Sequence, residues 1–297
     1  MKQLARRILA AVLVFALTGM AGAFVFWIVA TTQGARWVLT SASPLAGISF
    51  TAQTIEGTVG NHLLLTQVRL GLAQQKLELD RVELRWKPLL LLTGTLAIKE
   101  LSINGFRIQD NAPPDTYPPK LAWPKIPLTA RRFDGTISHL RLTDISYRRL
   151  QEPALLVQSI TGSVAWQDSR LSLQEFRVVA PDGGLAGNFL ADFTKPSLTA
   201  DLEITPAQPV GEMDRFSVLI RPGKGTKREI VAGGVTLGGI AGTRKLLELS
   251  GDIGMTKDAF SLHRLRLLRP GQKGLVTADG NFALTEKGSV LTLQMKV

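Results

Sequence analysis

From Pro44 onward, apolar and polar side chains alternate with a period of two, and this pattern limits the folds open to the chain more than any other. Successive strand residues point to opposite faces, so the pattern predicts half-buried strands rather than helices. The stretch Leu63–Leu72 carries it in its second half. Leu77, Leu79, Val82, Leu84 and Trp86 continue it with one phase slip near Arg81, which a bulge or corner would accommodate. Ile98, Leu101, Ile103 and Phe106 follow. Later come Leu140, Leu142, Ile145 and Tyr147; Leu171, Leu173 and Phe176; Leu198, Ala200, Leu202 and Ile204; and Leu262, Leu265 and Leu267. No convincing amphipathic helix follows residue 44. The predicted fold is mainly β: an elongated, curled, antiparallel or meandering sheet, shaped like a taco and repeat-like along its length.

A different texture precedes it. The 23 positions from Ile8 to Ala30 hold no charged side chain, with Lys2, Arg6 and Arg7 before them and Arg36 after. At about 1.5 Å per residue such a helix is roughly 35 Å long, enough to cross a bilayer core with some tilt. The cations ahead of it keep the N-terminus cytoplasmic and send the bulk of the chain across. The competing reading is a cleaved signal peptide, with Ala21-Gly22-Ala23 as its cleavage site. Phe24 to Ala30 extend the apolar run past that site, which favours an anchor. A single-pass membrane protein, with its N-terminus cytoplasmic and most of its chain exported, is the expectation. Trp37, Val38 and Ala42 predict a short helix over 33–43, closed by Pro44.

The chain thus divides into a cytoplasmic stub and anchor (1–31), a linking helix (32–44), a first β segment (45–109), a proline-rich crossing (110–128) and a second β segment (129–297). In the crossing, Pro113, Pro114, Pro118, Pro119, Pro124 and Pro127 cannot donate ladder hydrogen bonds. It is either a domain linker or a long loop on one continuous sheet, and the loop is preferred. A loose repeat, glycine then a small then an apolar residue, is expected to open strands at Gly57, Gly94, Gly135, Gly162, Gly187 and Gly280. Glycines between Gly233 and Gly242 are expected to mark tight turns and a flexible strand edge. An ordinary β-sandwich with glycine in its turns is the rival architecture. The alternation continues to Val297, which predicts that this is the N-terminal piece of a longer β protein.

Chemistry-bearing motifs are scarce. Cysteine is absent, which excludes disulfides, thiolate metal sites and cysteine nucleophiles. His62, His139 and His263 lie in separate stretches without metal-ligand spacing, and no serine occupies Gly-x-Ser-x-Gly. Gly223-Lys224-Gly225-Thr226-Lys227 lacks phosphate-loop spacing. The expectation is no enzyme, no cofactor and no metal. Net charge is +11, from 35 Lys and Arg against 24 Asp and Glu. For an exported chain that balance suits anionic lipid better than nucleic acid.

A strand that is apolar on one face must bury it, pair it with another sheet, or leave it as a trough. A trough lined by aliphatic side chains would shelter acyl chains, each CH₂ contributing about 0.8 kcal/mol. Candidate lining positions are Leu77, Leu79, Val82, Leu84, Trp86, Ile98, Leu101, Ile103, Leu171, Leu173 and Phe176. The same residues would equally serve a closed core.

The segments Thr32-Gln33-Gly34-Ala35-Arg36-Trp37-Val38-Leu39 and Ile55-Glu56-Gly57-Thr58-Val59-Gly60, the run Leu79–Gly94 with its Trp86-Lys87-Pro88 and leucines, and Leu101–Phe106 stand in this order behind the apolar run. The chain is identified on them as similar to the N-terminal region of the TamB family of translocation and assembly module subunits, within the AsmA-like group. The resemblance covers roughly residues 1–130. It implies a periplasmic β-groove that conducts phospholipid between inner and outer membranes and supports outer-membrane protein assembly. Association with an Omp85-family barrel (TamA-like), through a C-terminal part missing from this sequence, is also implied. The alternative is a scaffold or chaperone that offers strand edges to outer-membrane proteins by β-augmentation, without lipid.

Overall fold

The computed structural model describes residues 31–34, 36–37, 49–72, 74–111, 123, 134–150, 152–223, 229–256, 259–269, 275–285 and 288–296. The apolar run Ile8–Ala30 and most of the linking helix and crossing lie outside them; Thr32–Gly34, Arg36 and Trp37 are helical. Among the described residues, no helix is long and apolar enough to cross a membrane.

Among the described residues, seventeen strands form one sheet. They are β1 (Ser49–Thr51), β2 (Thr54–Gly57), β3 (His62–Gly71), β4 (Gln75–Trp86), β5 (Thr95–Asn104), β6 (Arg107–Asp110), β7 (Asp134–Arg149), β8 (Leu155–Gln167) and β9 (Arg170–Ala180). There follow β10 (Gly183–Asp192), β11 (Ser197–Pro206), β12 (Arg215–Pro222), β13 (Val231–Ala241), β14 (Arg244–Met255), β15 (Ala259–Leu268), β16 (Leu275–Thr285) and β17 (Gly288–Lys296). A 3-10 turn, Pro88–Thr93, separates β4 from β5. The two-sheet sandwich is therefore not the architecture.

The meander is not antiparallel throughout. β1 and β2 pair with the two ends of β3, and β5 and β6 pair with the two ends of β4, so each pair acts as one broken strand. Both β5 and β6 then run parallel to β7. Parallel neighbours need a crossover rather than a hairpin, and residues 111–133 supply it. From β7 to β17 each strand pairs antiparallel with the next.

The phase slip near Arg81 is present. Leu79 and Val82 face the same side although three residues apart, as do Leu65 and Val68 opposite them, and the positive φ of 48° falls on Gln67 rather than Arg81. Similar left-handed residues, Asp144, Glu175 and Arg264, lie between the inward pairs Ile145/Leu142, Phe176/Leu173 and Leu265/Leu262. Each bulge restores the apolar face after a step that would otherwise reverse it.

Two glycine readings need correction. Only Gly94 and Gly135 stand at strand entrances; Gly57 closes β2, while Gly162, Gly187 and Gly280 sit inside strands. Gly187 (φ +143°) lies where a Cβ would stand 2.0 Å from the Asp201 carbonyl oxygen. Close backbone approach beside a bulge, rather than a turn, demands glycine there. The Gly233–Gly242 patch likewise forms no flexible edge. Gly233 to Ala241 run through β13, which is paired on both sides, and Gly242, at φ +59°, marks the expected tight turn before β14. At Gly233 a Cβ would be 2.5 Å from the Arg221 carbonyl oxygen, so the neighbouring strand comes too close for a side chain.

Candidate functional site

Directly opposed residues on paired strands project to the same face, so the registers trace what each face carries across the sheet. One file runs Leu65, Val82, Ile103, Leu142, Ile160, Val178, Leu185, Ile204, Phe216, Gly239 and Leu247, without a polar side chain. A second runs Trp86, Ile98, Ile137, Val164, Leu173, Phe189, Ala200, Ile220, Val235 and Gly251. A third runs Phe176, Gly187, Leu202, Val218, Leu237, Leu249, Leu267 and Val276. At about 4.8 Å between strands, the ten-strand file is roughly 45 Å long.

The opposite face differs in kind. There the register reads Glu83, Ser102, Arg141, Thr161, Arg177, Ala186, Glu203 and Ser217. Glu83 accepts hydrogen bonds from Arg85 (3.0 Å) and is bonded to His62 (3.1 Å), while Arg107 donates twice to Asp80 at 2.9 and 2.7 Å. The His62–Glu83 and Arg107–Asp80 pairs link neighbouring strands on the wetted side, while Arg85 lies on the same strand as Glu83; each adds little stability individually.

The eleven predicted lining residues all fall on the apolar face. Leu77 opposes Leu70 and Ile108, Leu79 opposes Val68, Leu84 opposes Leu63 and Leu101, and Leu101 opposes Leu140. Leu171 opposes Trp166 and Ala191. Val82, Trp86, Ile98, Ile103, Leu173 and Phe176 belong to the three files above. They are not equally accessible, however. Leu79 is buried with Ile55, Leu63, Leu65 and Val68 in a compact cluster, against which Val82, Leu84 and Ile103 pack. Further along, side chains of the same face stay open: Ile204, Leu237 and Phe260 are 38%, 37% and 38% exposed.

Two features escaped sequence reasoning. Trp123, from the crossing, lies on this apolar face. Its indole N–H donates to the Asp192 carbonyl (3.1 Å), and its ring is 5.7 Å from Phe193, which is 5.6 Å from Trp166. With Leu198, Ile220, Val231, Ile253, Met255 and Phe260 it walls an apolar cavity of about 100 Å³. A lone tryptophan among prolines was the available signal, but nothing local in sequence says which face a crossover covers. The other is the leucine run after Trp86. It forms the exposed 3-10 turn, because Pro88 can begin a helical turn and Gly94, at φ 80°, ends it after six residues.

Among the described residues, no group of three or more His, Asp or Glu side chains is placed to hold a metal ion. What the arrangement offers is contact area: an apolar face backed by a polar one.

A single long, curved sheet with one apolar and one polar face defines a class of amphipathic β-sheet domains. The family described as TamB, N-terminal domain, matches residues 21–188, more than half of the chain, and the chain belongs to that family. Comparison with curated proteins and with solved structures gave no match. The family match ends inside β10, whereas the first two apolar files continue to β14 and the third to Val276 on β16, across bulges in β13, β14 and β15.

Proposed function

We propose that this protein is an inner-membrane-anchored periplasmic β-groove that conducts phospholipid by its acyl chains between the inner and outer membranes, in support of outer-membrane protein assembly. The reading rests on one observation: cross-strand files of apolar residues run over ten strands and remain partly open rather than sealed. An acyl chain lying along such a face is held by contact area, about 0.8 kcal/mol per buried CH₂. Because the lining is uniform, that energy changes little as the chain moves, so a lipid slides rather than lodges. The head group stays at the wetted rim, where the +11 net charge favours anionic lipid. The anchor is the run Ile8–Ala30. Association with an Omp85-family barrel is proposed from family membership. No catalytic residue, metal or cofactor is needed for this activity.

Photoreactive residues placed at Leu173 and Leu237, with Arg177 on the opposite face as control, test it in cells. Phospholipid captured from the first two and not from the third is the expected result. Capture of unfolded outer-membrane proteins without lipid would replace the conduit with the β-augmentation scaffold.

A further inference from the structure

The turn Pro88–Thr93 belongs neither to the groove wall nor to the buried cluster. Leu89 is 72% exposed, and Leu90 and Leu91 beside it are exposed as well. An exposed apolar tip of this kind calls for a partner. Several of its polar groups are already bonded within the turn. The Leu90 N–H donates to the Lys87 carbonyl (3.2 Å), the Gly94 N–H reaches the carbonyls of Leu90 and Leu91, and the Thr93 hydroxyl donates to the Leu90 carbonyl (2.8 Å). Polar groups closed in this way can enter a lipid interface without being left unpaired in hydrocarbon.

Its position in the fold names the partner. The Lys87 N–H donates to the Ala97 carbonyl at 2.9 Å, which fixes the turn against β5. The Trp86 indole N–H donates to the Val59 carbonyl at 2.6 Å, which ties the turn to the loop joining β2 and β3. At that same loop the Thr32 hydroxyl donates to the Gly57 carbonyl at 2.8 Å. Thr32 follows Ile8–Ala30 by two residues in the chain. The leucine tip and the exit of the uncharged run therefore share one end of the sheet. Lys87, exposed at the base of the tip, supplies a cation suited to a phosphate head-group layer.

We infer that Leu89, Leu90 and Leu91 form a docking tip that enters the interfacial layer of the same phospholipid bilayer that holds residues 8–30. The tip rests on the proposed anchor, not on lipid conduction. It sets the end of the groove where the Trp86–Ile98 file begins against the membrane surface, so lipid can pass from bilayer to trough without crossing water.

The absence of cysteine makes a site-specific test direct. Single variants Leu89→Cys and Leu155→Cys of the full chain, each carrying an environment-sensitive fluorophore, are reconstituted into vesicles of phosphatidylethanolamine and phosphatidylglycerol. Leu155 is the control: it is 63% exposed, but lies where β8 pairs with the far end of β7. At position 89 the emission shifts to the blue, quenching by head-group-proximal spin-labelled lipid is at least severalfold stronger than at 155, and aqueous iodide quenches less. Equal lipid and iodide quenching at both positions overturns the inference, and so does failure of the chain to float with the vesicles. Docking at 89 together with no lipid captured at Leu173 and Leu237 would remove the conduit and leave the docking tip standing.

Discussion

Around β3 and β4 the apolar face of the sheet closes on itself; between β9 and β15 the same kind of face stays open. In the first region β1 and β2 pair with the two ends of β3. Phe50, Val59 and Phe106 then cover Ile55, Leu63, Leu65, Val68 and Leu79, and Val68 is left only 2% exposed. In the second region, where strands follow one another edge to edge, Leu237 and Phe260 keep more than a third of their surface. Identical alternation thus yields a core where broken strands double back and a trough where they do not. The first region is held by side-chain burial, and the second depends more on the ladder and on close backbone meshing at its bulges.

That contrast can be broken experimentally, beginning with the open region. Gly187→Val places a branched side chain at φ +143°, against the Asp201 carbonyl. It is expected to cost about 4 kcal/mol, combining backbone strain with overpacking. Gly211→Ala, at φ +63° but with nothing within 4 Å of the added carbon, should cost about 1 kcal/mol. Urea denaturation of the detergent-solubilised protein measures both; similar losses would mean that meshing at the bulge is not what secures this region.

Next come the side chains themselves. Leu65→Ala in the closed region is expected to lose about 3 kcal/mol, since the cavity it leaves cannot be filled by solvent. Leu237→Ala in the open region should lose about 1 kcal/mol, having less surface to give back to water. Equal losses in the same denaturation series would show that the second region has a sealed core after all.

The smallest effect concerns pH, and there the two regions should behave alike because it resides on polar groups in both. Partial burial pushes the Glu83 carboxyl up, but hydrogen bonds from Arg85 and His62, with their charges, outweigh this and hold it below its ordinary value. The Lys195 backbone N–H does the same for Asp192, opposed by burial and aided by Arg170 and the Thr194 N–H. A carboxylate with a lowered pKa in the folded state contributes stability above its unfolded value of about 4, and loses it as pH falls through the folded value. Stability should therefore fall on acidification below about pH 4. Glu83→Gln and Asp192→Asn should each make that fall shallower, read as the pH dependence of the urea midpoint. A steeper fall in either variant would reverse the assigned sign.

Much of this was legible along the chain. The apolar positions from Leu77 to Ile103, and Leu171, Leu173 and Phe176, share one face because period-two alternation admits no other arrangement on a strand. The slip near Arg81 was visible too, as two apolar residues spaced three apart. Glycine was harder to read. Gly162, Gly187 and Gly233 look like turn signals, yet they occupy strand interiors, because what excludes a side chain there is the backbone of the neighbouring strand; Gly242, at φ +59°, does mark a turn.

The sequence by itself determined that this chain would form amphipathic strands and which side chains each would present together, since strand geometry is local. Only the tertiary structure decided that β5 and β6 lie parallel to β7, that Trp123 returns over the apolar face, and that one end of this face is sealed while parts of the rest stay open. Those outcomes depend on which strands become neighbours and how closely they approach, and pairing across tens of residues leaves no periodic trace in the residues that take part.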